Sequence, residues 1–314
     1  MTSCTVVTML FDICLYDEFD KVFTNKKRPI DFYIKQCKNV LSLKQPMVIF
    51  CDINTVDKLK EIRESEVGTN IQTQYIVKSI TEYEFYKLHY DQVSSIRKTH
   101  FETHKSDGPT VWVSLLYMFK FLAMFISKRH NFFNTTHYAW VDMGCCHVVK
   151  SFDEYAPLML QNPKSKVTIC YIHYRGRYDL YPIEKFLNNR RPCGIAAGTF
   201  TVESTYVDKL YNITMSVFHE QLFNNYYHSD EQVLTYCYDK NPEIFNLYYG
   251  DYYSLFTNYH KSNNYQQSIY KCFIKNALQH NRPDLAINAA KSILSADSVD
   301  ESLKNTLIEI VNTK

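Results

Sequence analysis

Runs of consecutive apolar residues alternate with stretches carrying a three- to four-residue apolar repeat through the first half of the chain. Residues 5–11 and 47–51 are almost wholly apolar, the pattern of strands buried on both faces. Between them Tyr33, Cys37, Val40 and Leu41 share one face of a helix predicted over 29–43. Val56, Leu59 and Ile62 predict a second helix and residues 72–77 a third strand. A long, mainly helical region from 81 to about 130 then leads into a fourth strand over 138–141. This alternation predicts a mainly parallel sheet with helices on both faces.

The second half predicts a strand over 166–172, a small-residue turn feeding a β-run in RPCGIAAGTFTVE (191–203), and a helix from about Thr205. The cluster HSDEQ (228–232) opens a further helix. From Asn264 onward the pattern is helical, with Leu285, Ala286, Ala289, Ala290, Ile293 and Leu294 at helical spacing. There is no internal repeat and no Pro/Gly/Ser-rich linker, so the expectation is one α/β unit over 1–262 with a C-terminal helical appendix over 263–314.

Residues 111–127 imitate a membrane span, but Lys120 lies near the centre, where a charge in lipid is expensive. A buried core helix is the expectation, with no transmembrane segment. The N-terminal apolar run lacks a basic segment and holds Asp12, so it reads as a first strand and not a leader. The ten Cys form no CxxC pair. They are expected as reduced, mostly buried thiols of a cytoplasmic protein, with the sequons at Asn134 and Asn212 unused.

Composition removes several classes. With 46% apolar and 22% charged residues the chain is globular. A formal net charge of +2 supplies no broad field for a phosphate backbone, so nucleic acid is not an expected partner. Neither GxGxxG nor GxxxxGK[ST] occurs among only 7 Gly, which disfavours a dinucleotide-type enzyme and a P-loop NTPase. Aromatic residues reach 15%, and Tyr faces suit sugar or nucleotide stacking as well as core packing.

Three strand ends carry carboxylates: Asp12, Asp52 and Asp142. Ligands of such sheets gather there, although Asp12 and Asp52 are equally suited to capping the next helix. In YAWVDMG the Asp precedes a Gly by two residues, a carboxylate suited to a divalent cation with room for a diphosphate. Lys120 must find a partner inside its apolar helix, either a structural carboxylate or a ligand phosphate. Ala197 and Gly198 allow close backbone approach by a sugar or by a neighbouring helix. Asp230 and Glu231 suit either capping or acid/base work on a sugar, and His260 is a candidate second ligand to a cation at Asp142.

The order VDMG, RPCGIAAGTF, SDEQVLTYCYDKNP and YYGDYYSLFTNYH, with FYIKQCKNVLSLKQPMVIFCD before it, resembles the HtrL/YibB (WlaTC-type) family of bacterial and viral proteins over roughly residues 5–295. The resemblance implies a GT-A-type fold and a glycosyltransferase. Its donor would be a nucleoside-diphosphate sugar, UDP-sugar first, and its acceptor a hydroxyl on a glycan, glycolipid or protein, with retention of configuration favoured. Within GT-A enzymes the layout is similar to the glycogenin-like type. That likeness places Asp142 on the first acid of DxD, Ala197 and Gly198 on the donor-sugar turn, Glu231 and Gln232 on the D-Q pair, and His260 on the late metal-binding His. It implies Mn2+ or Mg2+ as cofactor, but Gly144 stands where the second acid belongs. On this reading Asp52 meets the nucleoside, with Asp12 beside it, and Lys120 meets the phosphates. The alternatives are a non-catalytic GT-A-like binding module, which Gly144 favours, and a phosphohydrolase, which would need a denser His/Asp cluster.

Overall fold

The computed structural model describes residues 4–16, 29–101, 111–177, 194–227 and 229–312. Residues 191–193 of the small-residue turn and His228 lie outside the described residues. Seven strands form one sheet: β1 (Cys4–Leu10), β2 (Met47–Cys51), β3 (Thr73–Val77), β4 (His137–Val141), β5 (Val167–Tyr171), β6 (Ile195–Glu203) and β7 (Phe245–Tyr249). Their order is β3-β2-β1-β4-β6-β5-β7. All pairings are parallel except those of β6, which runs against both β4 and β5. The mainly parallel sheet flanked by helices is therefore as the sequence pattern predicts.

Alternate residues of each strand feed two separate apolar layers. Val7, Val48, Phe50, Trp140, Ile169 and Tyr171 face α3 (Glu84–Phe101), α4 (Val111–His130), α6 (Ser204–Phe223) and α7 (Asp230–Lys240). Val6, Ile49, Ala139, Val141 and Cys170 face α1 (Ile30–Leu41), α2 (Val56–Val67) and α5 (Phe152–Gln161). The sequence pattern missed α5, which carries Pro157 in its interior, and β7, FNLYY.

Helix α4 is long and apolar enough to cross a bilayer by length and composition. Here it lies on the sheet with ten buried residues, among them Ser114, Lys120 and Ser127, packing against β1, β4 and α6. The helix from Gln266–Ile269 continues through a π turn at Tyr270–Ile274 into Lys275–Gln279 and is α8; α9 (Pro283–Leu294) and α10 (Glu301–Asn312) follow. These helices share the core of the sheet's α4 face. Phe273 in the π turn lies fully buried, 4.8 Å ring to ring from both Tyr171 of β5 and Tyr249 of β7.

Phe273 therefore couples α8 to the sheet. Replacing Phe273 by Ala is expected to lower the unfolding free energy by about 3–5 kcal/mol, the range for a buried aromatic. Urea denaturation should show one cooperative transition for both proteins; an early separate transition would mean that α8–α10 unfold independently.

Candidate functional site

Chain connections leave β1 toward β2 on one side, while β4 lies on the other, so a crevice opens at the carboxyl ends of β1 and β4. A cavity of about 720 Å³ occupies it. Met9, Leu10, Phe11 and Ile13 wall it from β1, and Asp142, Met143 and Gly144 from β4. Because β6 is antiparallel, its first residues lie beside the last residues of β4, with Thr199 opposite Val141. That register carries Ala197 and Gly198 into the cavity, and Gly198 accepts the Asp142 N–H at 3.0 Å. The N-terminal turn of α7 adds Ser229, Asp230 and Glu231, and the loop after β7 adds Tyr252 and Leu255.

Lys120 organises the floor. Its ammonium lies 2.7 Å from Asp230 Oδ2 and 3.5 Å from Asp142 Oδ1, and donates to the Ala197 carbonyl at 2.9 Å. The Trp140 ring lies beneath it, 5.3 Å from Nζ to the centroid. Burial would push this ammonium's pKa down, but the charges of Asp142, Asp230 and Glu231 outweigh it and hold the pKa above the usual value. An ammonium has three donors and no acceptor, and those of Lys120 point at two carboxylates and a carbonyl. The structural reading of Lys120 is the one the geometry favours over a phosphate contact.

Asp142 lies deep in the fold yet opens to the cavity, its side chain 40% exposed. Desolvation raises its pKa, with Lys120 pulling in the opposite direction. Oδ1 also accepts the Trp140 indole N–H at 2.6 Å, while Oδ2 faces Gly198, where a Cβ would stand 3.6 Å away. Glu231 is held differently. Tyr252 Oη lies 2.8 and 2.7 Å from its two carboxyl oxygens. Burial, and then the neighbouring Asp230 charge, push the Glu231 pKa up to about 8 despite the Tyr252 and Lys120 contacts. Tyr117 also lines the cavity, and burial with the surrounding carboxylates raises its hydroxyl pKa.

The fold thus gathers Lys120, Asp142, Ala197, Gly198, Asp230 and Glu231 at one cavity and leaves four expected residues elsewhere. The Asp52 carboxylate, 2% exposed, accepts the N–H groups of Asp12, Asn54 and Thr55 and so ties the end of β1 to the turn before α2. Neither Asp52 nor Asp12 lines the cavity. Gln232 is completely buried behind it, and among the described residues its amide has no hydrogen-bond partner. His260 is exposed at the end of α5, its Nε2 3.4 Å from the Leu158 carbonyl, and does not join Asp142. Among the described residues no three His, Cys, Asp or Glu side chains are placed to hold a metal ion together. A Cβ at Gly144 would meet the Tyr33 ring at 3.2 Å, so the second acid of a DxD pair has little room.

Sequence reasoning missed Tyr33, Tyr117, Trp140 and Tyr252. A signal existed for Trp140, which precedes Asp142 by two residues and so shares its face of the strand. Tyr252 lies inside the aromatic run that nominated His260, and nothing local distinguishes it from its neighbours.

Two outcomes follow from the floor. Lys120→Met leaves buried carboxylates uncompensated and should cost about 3–5 kcal/mol in urea unfolding, part of which Asp230→Asn restores in the double variant. Glu231 keeps its proton in the fold up to about pH 8 but ionises from about 4.5 when unfolded, so the native state binds more protons in this window and stability falls as pH rises through it. Melting temperatures across that window should decline less for Glu231→Gln than for the parent protein; equal slopes would show that Glu231 is ionised.

Comparisons with known proteins place the chain. Among solved structures it resembles mouse xyloside xylosyltransferase 1 in its apo form, with 10% identity, 77% of this chain and 84% of that one covered, and a TM-score of 0.41. Core-mannan synthase A from Aspergillus fumigatus, in a Mn/GDP form, gives 9% identity, 79% and 73% coverage and a TM-score of 0.42. The 4-diphosphocytidyl-2C-methyl-D-erythritol synthase of Anaerococcus prevotii DSM 20548 gives 13%, 88% and 95%, and 0.38. In sequence the chain is 23% identical over 273 residues to Protein HtrL of Escherichia coli (strain K12), covering 81% of this chain and 92% of that protein. The profile of the family described as "Bacterial protein of unknown function (HtrL_YibB)" matches residues 2–261, and by that match over most of its length the chain belongs to the HtrL_YibB family.

Proposed function

We propose that this protein is a glycosyltransferase of the GT-A type, moving a sugar from a nucleoside-diphosphate donor, UDP-sugar first, to a hydroxyl on a glycan, glycolipid or protein. One observation carries the reading. A strand-end cavity with apolar walls has, on its floor, a carboxylate that opens to the cavity, the small residues Ala197 and Gly198 of β6, and a second carboxyl kept protonated near neutral pH.

Each part has work in such a reaction. The apolar walls from Met9 to Ile13 and from Val113 to Tyr117 exclude water from the reacting centre and offer surfaces to a flat base or sugar ring. The backbone at Ala197 and Gly198 permits close approach by sugar hydroxyls. Glu231, held by Tyr252, is a carboxyl that donates a proton below about pH 8 and accepts one above it, the property asked of a group assisting departure or attack of an oxygen. Asp230 is tied to Lys120 and acts as a positioning residue for the α7 terminus.

Among the described residues the floor offers no cationic group beyond the engaged Lys120, so a leaving diphosphate needs its charge met otherwise. Asp142 Oδ2, on the cavity side of Gly198, would hold a divalent Mn2+ or Mg2+ whose remaining ligands are donor phosphates and water, a habit of Mg2+ in nucleotide sites. Such an ion would supply charge stabilisation to the leaving diphosphate.

The test is a thermal-shift panel of UDP, GDP, CMP and dTDP compounds with and without Mn2+. One nucleotide should raise the melting temperature selectively, because a ligand of the native state stabilises it. Asp142→Ala should weaken that binding by roughly tenfold or more, about 1.4 kcal/mol. No response to any compound at millimolar concentration would move the reading to a non-catalytic binding module.

A further inference from the structure

At the lip of the cavity, directly after Asp142, the chain makes a tight turn over Cys145–His147. The thiols of its two adjacent cysteines are in contact, Cys145 Sγ to Cys146 Sγ 3.8 Å. Cys145 is buried and lines the cavity; Cys146 is partly exposed. Among the described residues every cysteine is a free thiol, and most are buried singly in the core. This pair differs in being adjacent, touching and at a surface.

The turn also holds the site together. The Cys145 N–H donates to the Asp142 carbonyl at 3.0 Å, and the Cys145 carbonyl accepts the N–H groups of Val148 and Val149 at 3.0 and 3.1 Å. Met143, Gly144, Cys145, His147, Val148 and Val149 all line the cavity. On its outer side the turn rests against α1, through Tyr33 beside Gly144 and Phe32 against the His147 ring.

Adjacent α-carbons across a trans peptide are about 3.8 Å apart, whereas an ordinary disulfide spans about 4.4–6.8 Å between them. The α-carbon spacing is fixed by the peptide, so closing the sulfurs from 3.8 Å to the roughly 2.0 Å of a bond makes a strained ring whose side-chain and backbone torsions in the turn must twist. A strained, accessible disulfide is also an easily reduced one, the kind that serves regulation and not structure.

We propose that Cys145 and Cys146 form a reversible oxidation site, closed to a vicinal disulfide by a peroxide-class oxidant, and that closure reshapes the 142–149 turn at the cavity's lip. Peroxide oxidises the more exposed Cys146 thiol to a sulfenic acid, releasing one water. The Cys145 sulfur then displaces hydroxide from Cys146, the thiol proton leaves with it as a second water, and an S–S bond replaces two S–H bonds. A dithiol reductant returns both thiols. The inference is independent of what the cavity binds, because its readouts are thiol chemistry and backbone protection.

The experiment treats the full-length protein with stoichiometric hydrogen peroxide and follows it by intact mass, peptide mapping and hydrogen–deuterium exchange. A loss of two hydrogens mapped to the peptide holding both cysteines is expected, together with faster exchange in 142–149 and recovery of both on adding dithiothreitol. Phenylarsine oxide, which needs two neighbouring thiols, should block the oxidation, and Cys146→Ser should show neither change. Accumulation of Cys146 sulfinic acid beside an intact Cys145 thiol would overturn the proposal, as would a Cys37–Cys146 disulfide. A vicinal disulfide that leaves exchange in 142–149 unchanged would overturn its coupling to the cavity.

Discussion

The arrangement of the site depends on one buried ammonium. Lys120 sits in the apolar face of α4, where a lone charge would be intolerable, and it reaches the end of β4, the start of β6 and the N-terminus of α7 at once. Three elements distant in sequence are tied to a fourth through contacts that lose most of their value if any member moves. Trp140 completes the arrangement by lying under Lys120 and donating to Asp142. The same engagement withdraws Lys120 from direct phosphate binding and gives the floor its excess of carboxyl groups.

Topology supplies the rest. One reversed strand, β6, brings its first residues to the carboxyl end of β4, so Ala197 and Gly198 meet Asp142 where a parallel strand would have carried them to the opposite edge. The apolar ends of β1 and α4 close the sides. Tyr33 crowds the Cβ that a second acid at position 144 would need, so this turn adds no second carboxylate beside Asp142.

These constraints produce carboxyl groups with different chemistry in one cavity. Asp142 is supported by an indole and an ammonium and opens outward. Glu231, crowded by burial and by Asp230, holds its proton to about pH 8. Burial raises both carboxyls, and the different groups that hold them, Trp140 and Lys120 at Asp142 and Tyr252 at Glu231, are the basis of the different roles proposed for them.

The sequence by itself determined the alternation of strands and helices in the first half, the buried character of residues 111–127, and the candidacy of Lys120 and Asp142, while Ala197, Gly198 and Glu231 joined them through the family resemblance. Those features follow from local hydrophobic period, from the cost of a charge in an apolar run, and from the position of acids at strand ends. Only the tertiary structure decided their partners. Asp52 ties the end of β1 to the turn before α2, Gln232 turned into the core, and His260 lies beside α5, because side-chain direction depends on packing against elements remote in sequence. Tyr117, Tyr252 and Tyr33 entered the site for the same reason: in so Tyr-rich a chain, no local signal separates a tyrosine that faces a cavity from one that fills a core.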